Sequence, residues 1–458
     1  MATGPGEIVN VGPAQGPIDA DALYRRIMWS VMPLLVVCYV VSFIDRSNVG
    51  LAKIQFVDDL GFSNAQYGLG AGIFYLGYVF FEIPSNQMLA KIGARLTLLR
   101  IMVLWGLCCV AMAWMATPTH FYVLRFLLGA AEAGFFPGIL LYLTYWIPSR
   151  RRARFTAVFM ASIPMAGLLG GPIAGLIMDG MDGVGGWRGW QWLFLIEGLP
   201  AIALGLVVYK LLDDSPSQSR WLSAAEQRHI EADLEADSAR AGVVGHSSFS
   251  AVLRDPAFYA LGVLGFAIMV STGGVFLWLP SVIAESGVAS TRTIGLLSAI
   301  PFVIAVVVQY AVARHSDAVQ ERRWHAVISV LVGALGWAAL PFVADEVVLA
   351  LVALTVATTG TLAAMGPFWS LPAAMLSKTA MAGGIALVTT LAGLGNFLSP
   401  ILVGWLTDHT GSLAAGQLYY GTLLLLGGAA VTFFRPGDLA AASQPSGPAP
   451  IDPKTPRH

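Results

Sequence analysis

Ile27-Met-Trp-Ser-Val-Met-Pro-Leu-Leu-Val-Val-Cys-Tyr-Val-Val-Ser-Phe-Ile44, followed at once by Asp45-Arg46, decides how the rest of the chain is read. Its 18 residues carry no charge, close to the roughly 20 that take a helix across the hydrocarbon core of a bilayer. Charge-free runs recur at 60–81, 101–124, 133–149, 155–178, 256–284, 293–313, 326–344, 347–377, 379–407 and 409–434, and 189–209 is broken only by Glu197. Together these give twelve expected spans. The whole chain agrees: among 458 residues, 56% are hydrophobic, 12% are charged, and the formal net charge is −1. A soluble domain is about a quarter charged, so this chain could not cover a water-facing surface. An ordinary soluble enzyme, a disordered protein and a nucleic-acid binder are excluded, which leaves an all-α polytopic membrane protein. Cys38, Cys108 and Cys109 all fall in apolar stretches, without disulfide or metal spacing, and read as small core residues.

Lys and Arg set the orientation. With the N-terminus in the cytoplasm, 21 of the 26 fall on the cytoplasmic side; Arg46, Lys53, Arg188 and Arg292 fall outside, and Arg125 sits within a span. The positive-inside rule therefore places both termini in the cytoplasm. The first apolar run lacks a small-residue cleavage site and reads as an uncleaved anchor. The hydrophilic stretch 212–255 divides the chain into a cytoplasmic tail (1–26), a six-helix half (27–211), a central loop (212–255), a second six-helix half (256–435) and a tail (436–458). The last is Pro/Ser/Ala-rich and is expected to be disordered. Ser223-Ala-Ala-Glu226 is a capping-box pattern and predicts a surface helix through about Ala236.

The halves repeat weakly. Ser63…Gly68-Leu69 matches Ser290…Gly295-Leu296 at an offset of 227, the loop Asn86–Arg95 falls on Ala313–Arg322 at the same offset, and Pro172 matches Pro400 at 228. Parallel repeats around a central loop build one large class of transporters, in which substrate lies near mid-membrane between the halves.

Several segments together resemble the major facilitator superfamily, and within it the anion:cation symporter family of tartrate, phthalate, galactonate and hydroxyphenylacetate permeases and sialin-like carriers. They are Phe43-Ile-Asp-Arg-Ser-Asn-Val-Gly50, Tyr75-Leu-Gly-Tyr78 with Glu82-Ile-Pro-Ser-Asn86, Arg125-Phe-Leu-Leu-Gly-Ala-Ala-Glu132-Ala-Gly-Phe-Phe-Pro-Gly138, Trp190-Gln-Trp-Leu-Phe-Leu-Ile-Glu197-Gly, and His315-Ser-Asp317 with Glu321-Arg-Arg323. The resemblance runs from about Arg25 to Arg435, and the tartrate-transporter-like bacterial branch is the most similar. It implies two pseudo-symmetric six-helix halves and multi-pass residence in a plasma membrane, here a bacterial inner membrane. The superfamily's Gly-x-x-x-Asp-Arg-x-Gly-Arg-Arg loop is altered: Asn86, Ala90 and Lys91 replace the first Gly, the Asp and the Arg, while Gly93 and Arg95 remain. The second-half loop keeps its acid as Asp317. Gating is thus expected to rely on Asp317 with Arg322 and Arg323, and less on Arg95.

A charge at membrane depth costs at least about 2.5–3.5 kcal/mol and needs a reason. Spans 7 to 12 contain none; Asp45, Arg46, Glu82, Arg125, Glu132 and Glu197 all lie in the first half. Charge handling is therefore expected there, with neutral hydrogen bonds from the second half. Arg125 and Glu132 are two helical turns apart, about 10 Å, so each is expected to seek a partner on span 1. Adjacent Asp45 and Arg46 point different ways. The expectation is that Asp45 meets Arg125, while Arg46 faces the cavity, where its planar fork suits a carboxylate. The resemblance implies proton coupling by Asp45 and Glu132 and substrate binding by Arg46, with Arg125 as structural partner. The opposing reading is that Asp45-Arg46 simply ends span 1 at the outer surface.

Tyr75, Tyr78 and Glu82 share one face of span 2; the tyrosines either donate to a carboxylate or pack. Glu82 is expected to link to Arg95 or Arg154, and Glu197 to be structural. Asn396, within Gly393-Leu-Gly-Asn-Phe-Leu-Ser-Pro400, is a candidate substrate contact, with Ser399 on the same face. Trp369 and Trp278 could wall an aromatic substrate, or anchor helix ends. Gly167-Leu-Leu-Gly-Gly-Pro-Ile-Ala-Gly175 reads as an interface on which the halves rock. None of the seven histidines is in the interior of a charge-free span, so neither a histidine relay nor a metal site is expected, and no cofactor beyond the proton gradient. There is no nucleophile–base set of an enzyme. The leading reading is proton-coupled symport of a small organic anion by a monomer whose partners are that anion, protons and lipid. Exchange or efflux is the alternative, and a non-transporting sensor the least favoured.

Overall fold

The computed structural model describes residues 18–241, 256–375 and 378–432. Residues 1–17, 242–255 and 433–458, which include the expected C-terminal tail and part of the central loop, lie outside the described residues. The first half comprises span 1 (Ala20–Leu60), span 2 (Asn64–Ile92), span 3 (Ala94–Met112), span 4 (Pro118–Glu132 and Phe135–Trp146), span 5 (Ser149–Met160 and Ser162–Met181) and span 6 (Gly189–Leu211). After the surface helix Ala224–Ala241 come span 7 (Pro256–Glu285), span 8 (Thr291–Val319), span 9 (Arg323–Val343), span 10 (Val347–Ala363 and Met365–Met375), span 11 (Lys378–Thr410) and span 12 (Ala414–Thr432). Ten of these are by themselves long and apolar enough to cross a membrane; spans 2 and 11, packed along each other, complete the twelve.

Charge-free runs and helices do not coincide. Span 1 continues unbroken through Asp45 and Arg46 to Leu60, so that pair does not end the span. The run 101–124 is cut in two because Thr117 caps a new helix that opens on Pro118. Span 4 then carries Arg125 and Glu132 internally, at the buried side of its first segment. The surface helix extends to Ala241, beyond the expected end near Ala236.

The internal repeat is visible in local geometry. Ser63 and Ser290, related by the offset of 227, each accept a backbone N–H three residues on and cap spans 2 and 8. Gly93 and Gln320, at the same offset, both take positive φ (90° and 52°) just beyond the far ends of those spans. The halves meet in a symmetry-related way: span 2 packs on span 11, span 5 on span 8, and span 1 on span 7. Lipid offers no hydrophobic drive between helices, so close approach rests on small residues. A Cβ on Gly68 or Gly72 would strike the backbone of Pro400 or Phe397, and one on Gly171 or Gly175 the carbonyls of Gly295 or Thr291. Gly50 meets Phe276 and Leu277, and Gly404 meets Asn64, in the same manner. All these contacts lie in the part of the bundle remote from the chain termini. The outward surface is the inverse of a soluble protein's: Phe342, Trp29, Val348 and Leu335 are exposed, as lipid-facing side chains must be.

Polar contacts brace each end. On the terminal side, the surface helix is tied beneath the first half by Arg26–Glu226 (2.6 Å), Arg150–Asp233 (3.0 Å), Tyr24 donating to Asp233 (3.1 Å) and Ser149 donating to Asp237. The capping box is formed between Ser223 and Glu226. Partial burial pushes the Glu226 carboxyl up, but the Ser223 N–H, the Ser223 hydroxyl and Arg26 outweigh it and hold the group below its usual range. This anchor is therefore complete above the ordinary glutamate pKa and is lost as pH falls through the lowered value.

At the opposite end, Asp408 near the end of span 11 accepts the backbone N–H groups of Asn64 (3.0 Å) and Ala65 (2.8 Å). A carboxylate from one half thus caps the positive end of a helix in the other. Asp408→Ala should weaken closure at this end by about 0.5–2 kcal/mol; spin-label distances between the 61–63 and 411–413 connections should broaden toward longer values.

Span 4 is interrupted immediately after Glu132. Gly134 adopts φ 83°, and a Cβ there would lie 2.5 Å from the Ser85 hydroxyl of span 2. Left-handed backbone costs a non-glycine residue about 1–2 kcal/mol before any clash. Gly134→Ala should therefore lower the unfolding temperature in detergent measurably, whereas Gly180→Ala, with open space around it, should not.

Candidate functional site

Tyr39, Phe43, Arg46, Gly50 and Lys53 recur at spacings of four, three, four and three, and so form one stripe along span 1. The stripe faces the second half. Its first part, with Tyr75, Phe136, Met269, Trp369 and Asn396, lines a cavity of about 220 Å³. A neighbouring cavity of about 320 Å³ shares those residues except Phe43 and extends past Tyr78, Val79 and Glu82. The lining grows more exposed in that direction, reaching 45% at Val79 and 43% at Trp369. The cavity thus leads toward the terminal side, while the glycine contacts close the other.

Arg46 is the cation at its wall. Its Nη2 lies 2.6 Å from Glu132 Oε1, and Ser42 Oγ donates to the same oxygen at 2.5 Å. The guanidinium rests over Phe43, Phe74 and Tyr78 at 5.2–5.4 Å. Its buried Nε has no partner, so part of the donor fork is uncommitted. The pairing is between spans 1 and 4, as expected, but with different partners. Asp45 does not meet Arg125. One residue along the helix from Arg46, it turns toward span 3, accepting from Trp105 Nε1 and from Cys109 Sγ (2.7 Å). Arg125 is 1% exposed, lies 4.7 Å over the Phe74 ring and leaves its Nε unpartnered. Both guanidinium groups, of Arg46 and Arg125, thus contact the Phe74 ring. Three residues beyond Asp45, Asn48 donates to Glu197 of span 6, whose second oxygen is buried without a partner.

The remaining expected residues divide. Tyr75 and Tyr78 line the cavity. Glu82 does too; the expected link to Arg95 or Arg154 is not formed, because Arg95 is held by the Tyr209 carbonyl (2.7 and 3.1 Å) and its backbone N–H by Asp214. Asn396 reaches both lobes, and its Oδ1 is buried without a partner. Ser399 is not in the cavity: it donates to the Tyr420 hydroxyl of span 12 at 3.3 Å. Trp369 walls the cavity, whereas Trp278 packs against Tyr67 and Lys53. Asp317 pairs with Arg322, and Arg323 binds the Val431 and Thr432 carbonyls. These contacts of Arg95, Asp317, Arg322 and Arg323 each stay within one half.

Sequence reading missed Tyr39, Ser42, Trp105, Asn48 and Phe136. The stripe through Arg46 pointed to Tyr39, and Ser42 precedes Arg46 by one turn. Nothing in the local sequence of span 3 marks Trp105 or Cys109 as partners of an acid. Chemically, the site offers one cation shared between a protein carboxylate and an adjoining cavity. Aromatic walls and a neutral amide from the other half complete it. Such a site can exchange an internal counter-ion for an external one.

Comparisons with known proteins agree with this architecture. The chain is 42% identical over 425 residues (91% of this chain, 96% of the other) to a Pseudomonas putida protein named as a metabolite transport protein, NicT. It is 43% identical over 408 residues (89% and 93%) to an Agrobacterium vitis protein named for tartrate transport. It is also 38% identical over 414 residues (89% and 94%) to an Acinetobacter baumannii quinolone resistance transporter. Among solved structures, a bacterial homologue of the human lysosomal transporter Spinster, inward-facing and occupied, matches with TM-score 0.70 at 17% identity over 93% of this chain and 99% of that one. The family model for the Major Facilitator Superfamily matches residues 35–400. With a broken, charge-bearing span 4, two six-helix halves and a cavity between them, this chain is a multi-pass membrane transporter and belongs to the major facilitator superfamily.

Proposed function

We propose that the protein imports a small organic carboxylate anion together with protons, by alternating access between the two halves. The observation that carries this reading is the Arg46–Glu132 ion pair at the wall of the inter-half cavity. While Glu132 is ionised, it occupies the cation that a carboxylate needs. Protonation of Glu132 frees the Arg46 fork, and an anion can take its place; either event favours the other, which is coupling in the thermodynamic sense. Burial disfavours an uncompensated charge of either sign, so the half-loaded site resists closure. Asp45, held by Trp105 and Cys109, is the second proton-accepting group, and Arg125 a fixed positive charge behind Phe74. Tyr75, Tyr78 and Asn396 orient the anion, with Trp369 closing one side.

The excess of Lys and Arg near the termini supports a cytoplasmic terminal side, in a bacterial inner membrane. The cavity then opens to the cytoplasm, with Asp408 and the glycine contacts sealing the outside. Arg95, Asp317 and Arg322 would act when the cytoplasmic side closes. A monomer contains the whole site, and no cofactor beyond the proton gradient is required. The A. vitis relative supports tartrate or a related hydroxy acid as cargo. The quinolone resistance relative supports a second reading, proton-driven export with the same groups run in reverse.

Uptake into proteoliposomes of labelled tartrate, a sugar acid, phthalate, hydroxyphenylacetate and nicotinate, with and without an acid-outside gradient, tests this. Gradient-dependent accumulation of one acid is expected. Gradient-driven extrusion of a quinolone, with no acid accumulated, would favour export. Glu132→Gln should abolish accumulation against a gradient while exchange of substrate for substrate continues; accumulation persisting in that variant would remove Glu132 from proton coupling. Arg46→Ala should weaken anion binding at least tenfold, and unchanged affinity would move the anion site elsewhere.

A further inference from the structure

Lys53 ends the cavity-facing stripe of span 1, seven residues and about 10 Å beyond Arg46. Its side chain is buried where the halves are closed, 7% exposed. Among the described residues, no carboxylate lies within ion-pair distance of it; Asp58, Glu285 and Asp408 act on it only at longer range. Its ammonium is instead boxed by rings, 4.1 Å from the Trp278 centroid and 5.1 Å from that of Tyr67, with Ser281 Oγ at 3.4 Å. Trp278 and Ser281 belong to span 7, in the other half. Gly50, between Arg46 and Lys53 on the same face, touches the span 7 backbone at Phe276 and Leu277.

We infer that Lys53 is the first docking point for the anionic group of the substrate on the side opposite the termini, and that it passes the anion to Arg46. This rests on the carboxylate-transport reading above. When the halves separate on that side, Trp278 and Ser281 leave with the second half. Lys53 is then a cation without a bonded counter-ion at the mouth of the vestibule. An anion there gains Coulomb attraction in a space walled by low-dielectric protein. Closure requires the ammonium to return to the ring box, which an anion bound to it obstructs. The side can therefore reseal only after the anion has moved two turns down the helix to Arg46. A buried cation held by aromatic rings, rather than by an acid, suits this task. Cation–π contact strengthens when desolvated, so it holds the closed state yet is displaceable by an incoming carboxylate.

The test is transport kinetics from the side opposite the termini for Lys53→Gln and Lys53→Arg in proteoliposomes, using the acid the wild type carries. Lys53→Gln should raise KM from that side about tenfold with Vmax within twofold, and Lys53→Arg should restore KM. Affinity of the purified protein with its cavity open to the terminal side should be unchanged, because Lys53 is buried there. An unchanged KM in Lys53→Gln, or a fall in Vmax alone, would overturn the inference and leave Lys53 as a closure contact. Lys53→Cys provides a reading independent of substrate: a membrane-impermeant thiol reagent applied to that side should modify it. Failure to react under turnover would also overturn the inference. A wild type that carries none of the acids fails the proposed function itself, whereas a wild type that carries one while Lys53→Gln matches it fails only this inference.

Discussion

The ion pair between Arg46 and Glu132 is the interaction on which the rest of the site depends. Either charge alone at that depth would be expensive; together, with Ser42 donating to the carboxylate and three aromatic rings beneath the guanidinium, they are compensated. The pair also fixes geometry. It joins a 41-residue continuous helix to the end of a broken one, and the break, at Gly134, is where span 4 comes against Ser85 of span 2. The charge contact and the left-handed glycine thus add to the close glycine packing of span 2 on span 4 at Gly77 and Gly129. A buried ion pair is weak evidence for added stability; in the proposed cycle its value lies in being exchangeable.

Two kinds of contact hold the halves together, and they differ in reversibility. Glycine faces on spans 2, 5, 8 and 11 bring backbones within van der Waals range without inserting side chains. Helices so packed can separate without breaking hydrogen bonds. Among the described residues, the polar contacts across the same side include Asp408 on the start of span 2, Lys53 against Ser281 and the Tyr67 hydroxyl donating to the Leu277 carbonyl. The surface helix, by contrast, is bound to the first half by several charged contacts, so it moves with that half.

The acids of the first half do not form one network. Asp45 of span 1 faces span 3, Glu132 of span 4 faces Ser42 and Arg46 of span 1, and Glu197 of span 6 faces Asn48 of span 1. Separation by helix faces gives each of these carboxylates its own donors. Arg125, without a bonded acid among the described residues, contributes a positive potential to the same region.

By itself the sequence determined the twelve spans, their division six and six, the repeat at an offset of 227, and the confinement of membrane-depth charge to the first half. These follow from composition and spacing, because lipid excludes charge wherever a helix must cross it. Helix periodicity also placed Tyr75, Tyr78, Asn396 and Arg46 on faces that reach the cavity. What the tertiary structure decided is partnership. That Glu132 pairs with Arg46, that Asp45 turns to Trp105, that Ser399 meets Tyr420 outside the cavity, and that Lys53 lies in a ring box depends on how helices distant in sequence rotate about their axes. A rotation of about 100° separates adjacent residues on a helix, so Asp45 and Arg46 could not share a neighbour. Which one faced span 4 was fixed only by packing between helices, and no local pattern encodes that.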